Sequence, residues 1–236
     1  MRTAHPSPSH PSPSPPGAPQ PSTALIYVHG LWLSGWESTW LRARVARSLG
    51  ARAYRFSYPS VRGTMADHAA ALADYLASLR VDTLHLVGHS LGGLVILECF
   101  ERFAAASWPP GRIVLMGSPV RGSEAAHRLS RWRHGLALLG LTAREVLLEP
   151  REYRWNGSRE LAVMAGSLAL GFGRLMGRLP QPSDGTVMIA ETALPGAKDS
   201  LVLPVSHSGF LLSGEVARQV SAFLRDGRFA ARAARR

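Results

Sequence analysis

The sequence predicts an α/β domain: a mostly parallel sheet of about six strands with helices on both faces. Three observations carry that expectation. Short apolar, β-prone runs alternate with helix-like segments from residue 24 to residue 117. The stretch Val87-Gly88-His89-Ser90-Leu91-Gly92-Gly93 places Gly-x-Ser-x-Gly between a strand-like run and a helix-like run. Near the end of the chain, Leu201-Val202-Leu203-Pro204 reads as a last strand, and Val205-Ser206-His207-Ser208-Gly209 leaves its end.

The elements follow in order. Residues 1–22 are dominated by Pro and Ser and hold no apolar stretch of the secretory-signal kind, so an extended, disordered tail is expected. The folded domain is expected over residues 23–225. Ala24–Val28 is the first strand and ends in His29-Gly30-Leu31-Trp32. Trp36 to Leu49 has Trp36, Trp40, Leu41, Val45 and Leu49 near helical spacing, and Gly50 suits a helix stop. Ala51 to Phe56 alternates as a strand does, and Tyr58-Pro59 opens a loop. Met65 to Leu79 is a second helix, with Leu72, Leu76 and Leu79 on one face. Thr83–Val87 is the strand before Ser90, and Leu94–Phe100 continues as a buried helix. Arg112–Gly117 is a further strand, ended by Ser118-Pro119.

Residues 120–160 break this rhythm. Arginines alternate there with Leu129, Trp132, Leu136, Leu138, Leu139 and Leu141. The segment reads as helical, either a small cap over the site or a crossover helix with a basic outer face. Leu161–Gly166 is a further strand. Gly171-Phe172-Gly173 with Gly177 does not fit a dinucleotide-binding pattern. Pro182-Ser183-Asp184-Gly185 signals a turn. Val216 to Leu224 is the closing helix, and residues 226–236 form a basic tail expected to fray.

Composition narrows the function classes. The chain has 236 residues, 46% of them apolar, which suits one domain with a sizeable core. No run is long and apolar enough to span a bilayer. Cys99 is the one cysteine, so no disulfide framework is possible; it reads as a core residue and the cytoplasm is the expected location. The histidines are scattered, and no metal site is expected. The net charge of +11 comes almost entirely from arginine. No nucleic-acid-binding pattern accompanies it, so nucleic acid is not an expected partner. The basic, amphipathic insertion allows weak peripheral contact with a membrane.

A strand turning sharply into a helix at Ser90 would hold its hydroxyl exposed and strained, with Gly88 and Gly92 leaving room for the turn. The helix N-terminus then favours negative charge beside Ser90. A serine nucleophile needs a base, and the base needs a carboxylate to fix its tautomer. On a sheet of this kind they follow in the order Ser, acid, His, in loops after strand ends. Of nine histidines, His127, His134 and His207 come after Ser90, and His207 alone follows the last strand. The aspartates between Ser90 and His207 are Asp184 and Asp199. Asp199 would precede the last strand, at its wrong end, so Asp184 is the expected acid, with Glu191 as the fallback. The N–H groups of Leu31 and Leu91 are the expected oxyanion donors. Trp32 and Leu33 are candidates for an apolar acyl pocket.

The strand ending in His29-Gly30, the box Gly88-His89-Ser90-Leu91-Gly92-Gly93, Ser183-Asp184-Gly185-Thr186-Val187 and Ser206-His207 together resemble the α/β-hydrolase superfamily. Within it the chain resembles the bacterial lipase and esterase group that shares this serine box with glycosylphosphatidylinositol-inositol deacylases. The likeness covers roughly residues 23 to 225 and implies an α/β-hydrolase fold with a small cap. With no strand before residue 24 and only a short insertion, a compact and open site is expected. The implied activity is that of a serine hydrolase acting on carboxylic esters or lipid-like substrates through an acyl-Ser90 intermediate, without cofactor or metal. Acyl transfer and thioester hydrolysis use the same residues. A non-catalytic binding protein on this fold is the remaining alternative.

Overall fold

The computed structural model describes residues 22–103, 108–149, 151–170 and 179–231. Most of the Pro/Ser-rich tail, the Gly171–Gly177 stretch and the last five residues lie outside the described residues.

Six strands, β1 (Thr23–Val28), β2 (Arg52–Phe56), β3 (Thr83–His89), β4 (Ile113–Met116), β5 (Leu161–Gly166) and β6 (Asp199–Leu203), form one sheet. Their order is β2-β1-β3-β4-β5-β6 and every pairing is parallel. Parallel strands covered on both faces read as unbroken apolar runs, and β4 and β5 are buried along their whole length. Edge strand β6 instead alternates half-buried and exposed residues until Leu203.

Among the described residues six α-helices accompany the sheet: α1 (Thr39–Leu49), α2 (Met65–Ser78), α3 (Leu91–Arg102), α4 (Glu124–Ser130), α5 (Gly135–Leu147) and α6 (Gly214–Asp226). One apolar cluster joins Leu41 and Val45 of α1 to Val216, Val220 and Phe223 of α6 and to Leu25, Val87 and Met164 of the sheet. The other face packs Leu72 and Leu76 of α2 and Leu94, Val95 and Ile96 of α3 on Ile26, Leu86 and Leu115. Thr64 and Asp67 form a capping box at the start of α2, satisfying N–H groups that the helix cannot. Cys99 is fully buried in α3, and burial pushes its thiol up to about 12, as suits a core residue.

The insertion is two helices, α4 and α5, between β4 and β5. Its Ala125, Ala126, Leu129 and Leu139 line the same cavity as Ser90. Helix α5 is interrupted at Gly140 (φ 71°), where a Cβ would sit 2.3 Å from the Val61 carbonyl oxygen. The interruption lets α5 lie directly on the loop before α2, where the Leu141 N–H donates to the Val61 carbonyl (3.4 Å).

Two boundaries correct the sequence reading. The last strand begins at Asp199 rather than Leu201, because an edge strand tolerates polar residues at its start. The closing helix runs to Asp226, and residues 227–231 after it are tied down; the rest of the expected basic tail lies outside the described residues. The Phe229 and Ala230 N–H groups donate to Asp199 (3.1 Å) and Gln219 (2.9 Å), and the Phe229 ring meets Phe223.

Candidate active site

Ser90 sits between the end of β3 and the start of α3 with φ 54° and ψ −125°. Trp32 is the other non-glycine residue with positive φ among the described residues. Such a backbone costs about 1–3 kcal/mol and persists only where its surroundings enforce it. At Ser90 they do. The Ser90 N–H donates to the Met116 carbonyl (2.9 Å), and its carbonyl accepts from Gly93 (3.0 Å). A Cβ on Gly92 would lie 2.2 Å from the Val28 carbonyl oxygen, and one on Gly30 would lie 2.9 Å from the Ser90 Cβ. The box is therefore glycine-rich because α3 and the loop after β1 both press against the turn.

His207 follows β6, and its Nδ1 lies 2.7 Å from Asp184 Oδ2. The other Asp184 oxygen accepts the N–H groups of Thr186 (2.9 Å) and Val187 (2.7 Å). The His207 N–H donates to the Asp184 carbonyl (3.0 Å), so the two loops are held by backbone as well as side chain. Asp184 is fully buried, whereas the His207 side chain keeps some exposure. Gly117 (φ 55°) passes beside the pair; a Cβ there would be 3.1 Å from Asp184 Oδ2 and 3.2 Å from His207 Nδ1. Ser90 and His207 line one cavity of about 530 Å³, together with Trp32 and Leu33.

The rival acids are placed elsewhere. Asp199 opens β6, at the opposite end of the sheet, and holds Phe229. Glu191 accepts the N–H groups of Glu124 (2.6 Å) and Met188 (2.8 Å), and burial raises its pKa. His127 and His134 are exposed on the insertion.

Leu31 and Leu91 stand on either side of Ser90. Leu91 is the first residue of α3, where an N–H has no intrahelical acceptor. Among the described residues the Leu31 N–H donates no hydrogen bond, whereas the next two N–H groups go to Ser60 Oγ (3.0 Å) and the Gly30 carbonyl (3.3 Å). His29 is fully buried and stacks on Tyr58 at 4.4 Å. The Tyr58 N–H donates to His29 Nε2 (3.2 Å), and its hydroxyl donates to the His29 carbonyl (2.9 Å). Burial lowers the His29 pKa, so the ring is a neutral strut for the loop carrying Leu31.

Several lining residues were not singled out from sequence. His89 is buried, its ring is 4.8 Å from that of His207, and its Nε2 donates to the His207 carbonyl (3.1 Å). Burial pushes its pKa down to about 3. Its place inside the serine box was a signal available in the sequence. Leu170, Leu211 and Leu212 also line the cavity, and nothing in their spacing marks them.

Comparison with known proteins agrees with this architecture. A family model described as "Alpha/beta hydrolase family" matches residues 25–234. The chain belongs to the alpha/beta hydrolase family. Among solved members of this fold, a Bacillus licheniformis lipase, BlEst2, in propeptide form superposes with a TM-score of 0.65 at 21% identity, over 93% of this chain and 53% of that one. A metagenomic carboxyl esterase, MGS0156, gives 0.60 at 21% identity, over 83% of this chain and 67% of that one. The RedJ thioesterase of the prodiginine pathway in Streptomyces coelicolor gives 0.55 at 19% identity and covers 90% of both chains. A putative carbamate hydrolase, RutD, from Yersinia enterocolitica is 46% identical over 54 residues, 20% of this chain and 19% of that protein. The chain thus spans about half the lipase and about a fifth of the carbamate hydrolase. Among the described residues, no helix is long and apolar enough to cross a membrane, and no three metal-ligating side chains gather.

Proposed function

We propose that the protein is a serine carboxylester hydrolase in which Ser90, His207 and Asp184 act together. One observation carries this reading: the His207–Asp184 hydrogen bond of 2.7 Å beside a strained serine, at the wall of a mainly apolar cavity. With Nδ1–H donated to Asp184, the Nε2 lone pair of His207 is free to take a proton. Ser90 Oγ attacks the ester carbonyl as His207 Nε2 accepts its proton. The carbonyl oxygen becomes an oxyanion, held by the N–H groups of Leu31 and Leu91. The intermediate collapses, His207 protonates the leaving alcohol, and Ser90 is acylated. Water, deprotonated by His207, attacks the acyl-enzyme; collapse of the second intermediate releases the acid and returns the proton to Ser90. Asp184 fixes the tautomer and stabilises the imidazolium at each step. The acyl group lies along Trp32, Leu33, Leu129 and Leu139.

The likeness to the RedJ thioesterase over 90% of both chains favours one second reading, in which the acyl group arrives as a thioester. Hydrolysis of p-nitrophenyl esters of short and long acyl chains tests the proposal, with Ser90→Ala prepared in parallel and an acyl thioester series beside it. Ester turnover that vanishes in Ser90→Ala supports the ester reading. Turnover of thioesters alone moves the assignment to thioester hydrolysis. Equal ester turnover in Ser90→Ala refutes the assigned nucleophile.

A further inference from the structure

The two helices that line the cavity with Ala125, Ala126, Leu129 and Leu139 also carry exposed apolar side chains. Trp132, Leu138 and Leu141 are about half exposed (51%, 50% and 50%), and Leu212, which lines the cavity, reaches 70%. Trp32 lines the cavity as well, and its Nε1 ties α5 to it by donating to the Leu138 carbonyl (2.7 Å). Helix α5 already buries Leu139, Ala143 and Val146 inward. Its outward residues Leu136, Leu138 and Leu141 therefore make it apolar on both sides, whereas a helix facing only water turns polar side chains outward. Large apolar side chains exposed together on one segment mark an interaction surface.

Charge identifies the occupant. Exposed Arg131 and Arg133 flank Trp132, and exposed Arg62 follows Val61, whose carbonyl accepts the Leu141 N–H (3.4 Å). Among the described residues none of these guanidinium groups pairs with a carboxylate; the ion pairs present use other cations. The exposed acid on the same helix, Glu145, is engaged by the Met65 N–H (3.0 Å). Tryptophan and leucine flanked by arginine is the make-up of a surface that enters the headgroup layer of an anionic membrane.

We propose that this rim docks on an anionic lipid surface, with Trp132, Leu136, Leu138, Leu141 and Leu212 entering the interface and Arg131 and Arg133 meeting the headgroups, so that the cavity opens toward the lipid. Docking needs no turnover, so it stands or falls separately from the ester chemistry.

The test is cosedimentation of the full chain, carrying Ser90→Ala to leave the lipid intact, with phosphatidylcholine vesicles alone or with about one third phosphatidylglycerol. Each arginine near an anionic surface contributes about a fivefold change in partition, and the effect is screened by salt. The expected result is binding to the anionic vesicles that falls at least ~tenfold in about 0.5 M salt. Arg131→Glu with Arg133→Glu should weaken it at least ~tenfold. Trp132→Ala with Leu138→Ser should weaken it while leaving its salt dependence. Arg52 and Arg80 are exposed at the other end of the sheet, and Arg52→Glu with Arg80→Glu should change it less than ~threefold. All three pairs alter exposed residues, so circular dichroism and soluble short-ester hydrolysis in the Ser90 background should be unchanged. Four results would overturn the proposal: no vesicle binding, equal binding to neutral vesicles, an equal loss in the opposite-end pair, or self-association through the rim without lipid binding.

Discussion

At the elbow, a single methyl group on Gly92 would meet a carbonyl oxygen at 2.2 Å; at the rim of the same cavity, Leu212 is 70% exposed. The elbow is held by packing from three directions: β1, α3 and the strand end of β4. At the rim, Trp132, Leu138, Leu141 and Leu212 are half exposed or more. The contrast separates two properties of one cavity. Where atoms must be placed to a fraction of an ångström, the chain uses glycine, buried rings and backbone hydrogen bonds. What the cavity admits is set by side chains that can change without disturbing the sheet.

Substitutions should divide along that line. The largest effect belongs to Ser90→Ala, expected to lower kcat for a soluble ester on the order of 10⁵-fold with little change in thermal stability. Ser90→Gly should be equally inactive yet more stable than Ser90→Ala by about 1 kcal/mol in urea melts, because glycine adopts φ 54° without strain. Asp184→Asn should lower kcat about 10⁴-fold by removing the carboxylate that holds His207 Nδ1–H. Gly92→Ala should destabilise the fold by about 3 kcal/mol or more, measured as a fall in the urea midpoint. A retained midpoint would mean that the elbow yields, and the contrast with the rim would weaken.

A smaller effect is tied to pH. Burial holds His85 at about 4 and His89 at about 3, both below the usual histidine value. The unfolded chain then binds more protons than the folded one between about pH 6.5 and those values. Stability contributed by the neutral rings is full above about pH 6.5 and is lost as pH falls, by up to about 1.4 kcal/mol per pH unit for each ring. Urea melts at pH 7.5 and 5 read this directly, and His85→Gln should flatten the slope. At the small end, Leu212→Ser should change kcat/KM for a short soluble ester less than ~threefold, since the exposed rim adds little to transition-state contacts. A larger loss would place Leu212 in the machinery rather than at the entrance.

The same contrast explains what could be read from sequence. Strands β1, β3, β4 and β5 were legible because central parallel strands are continuous apolar runs. The strained turn at Ser90 was foreshadowed by the glycines around it, and the position of His207 in the loop after β6 by its following the last apolar run. The Asp184–His207 hydrogen bond was foreshadowed by the turn at Asp184 and by the wrong-end position of Asp199. The rim was legible only in part, through the arginines and apolar residues of the insertion. Leu170, Leu211 and Leu212 reach the cavity only through the fold of loops, and one-dimensional spacing does not encode that. The break at Gly140 was hidden because its cause is the Val61 carbonyl, nearly eighty positions away. The His89 contact was hidden for a related reason: its partner is the His207 backbone, which has no sequence signature.

The most direct measurement is covalent labelling of the folded protein by a fluorophosphonate, read as intact mass and by peptide mapping. One equivalent should attach at Ser90, none in Ser90→Ala, and labelling should slow strongly in His207→Gln. Folded protein that hydrolyses esters yet takes no label at Ser90, or takes it equally fast without His207, would contradict the assignment.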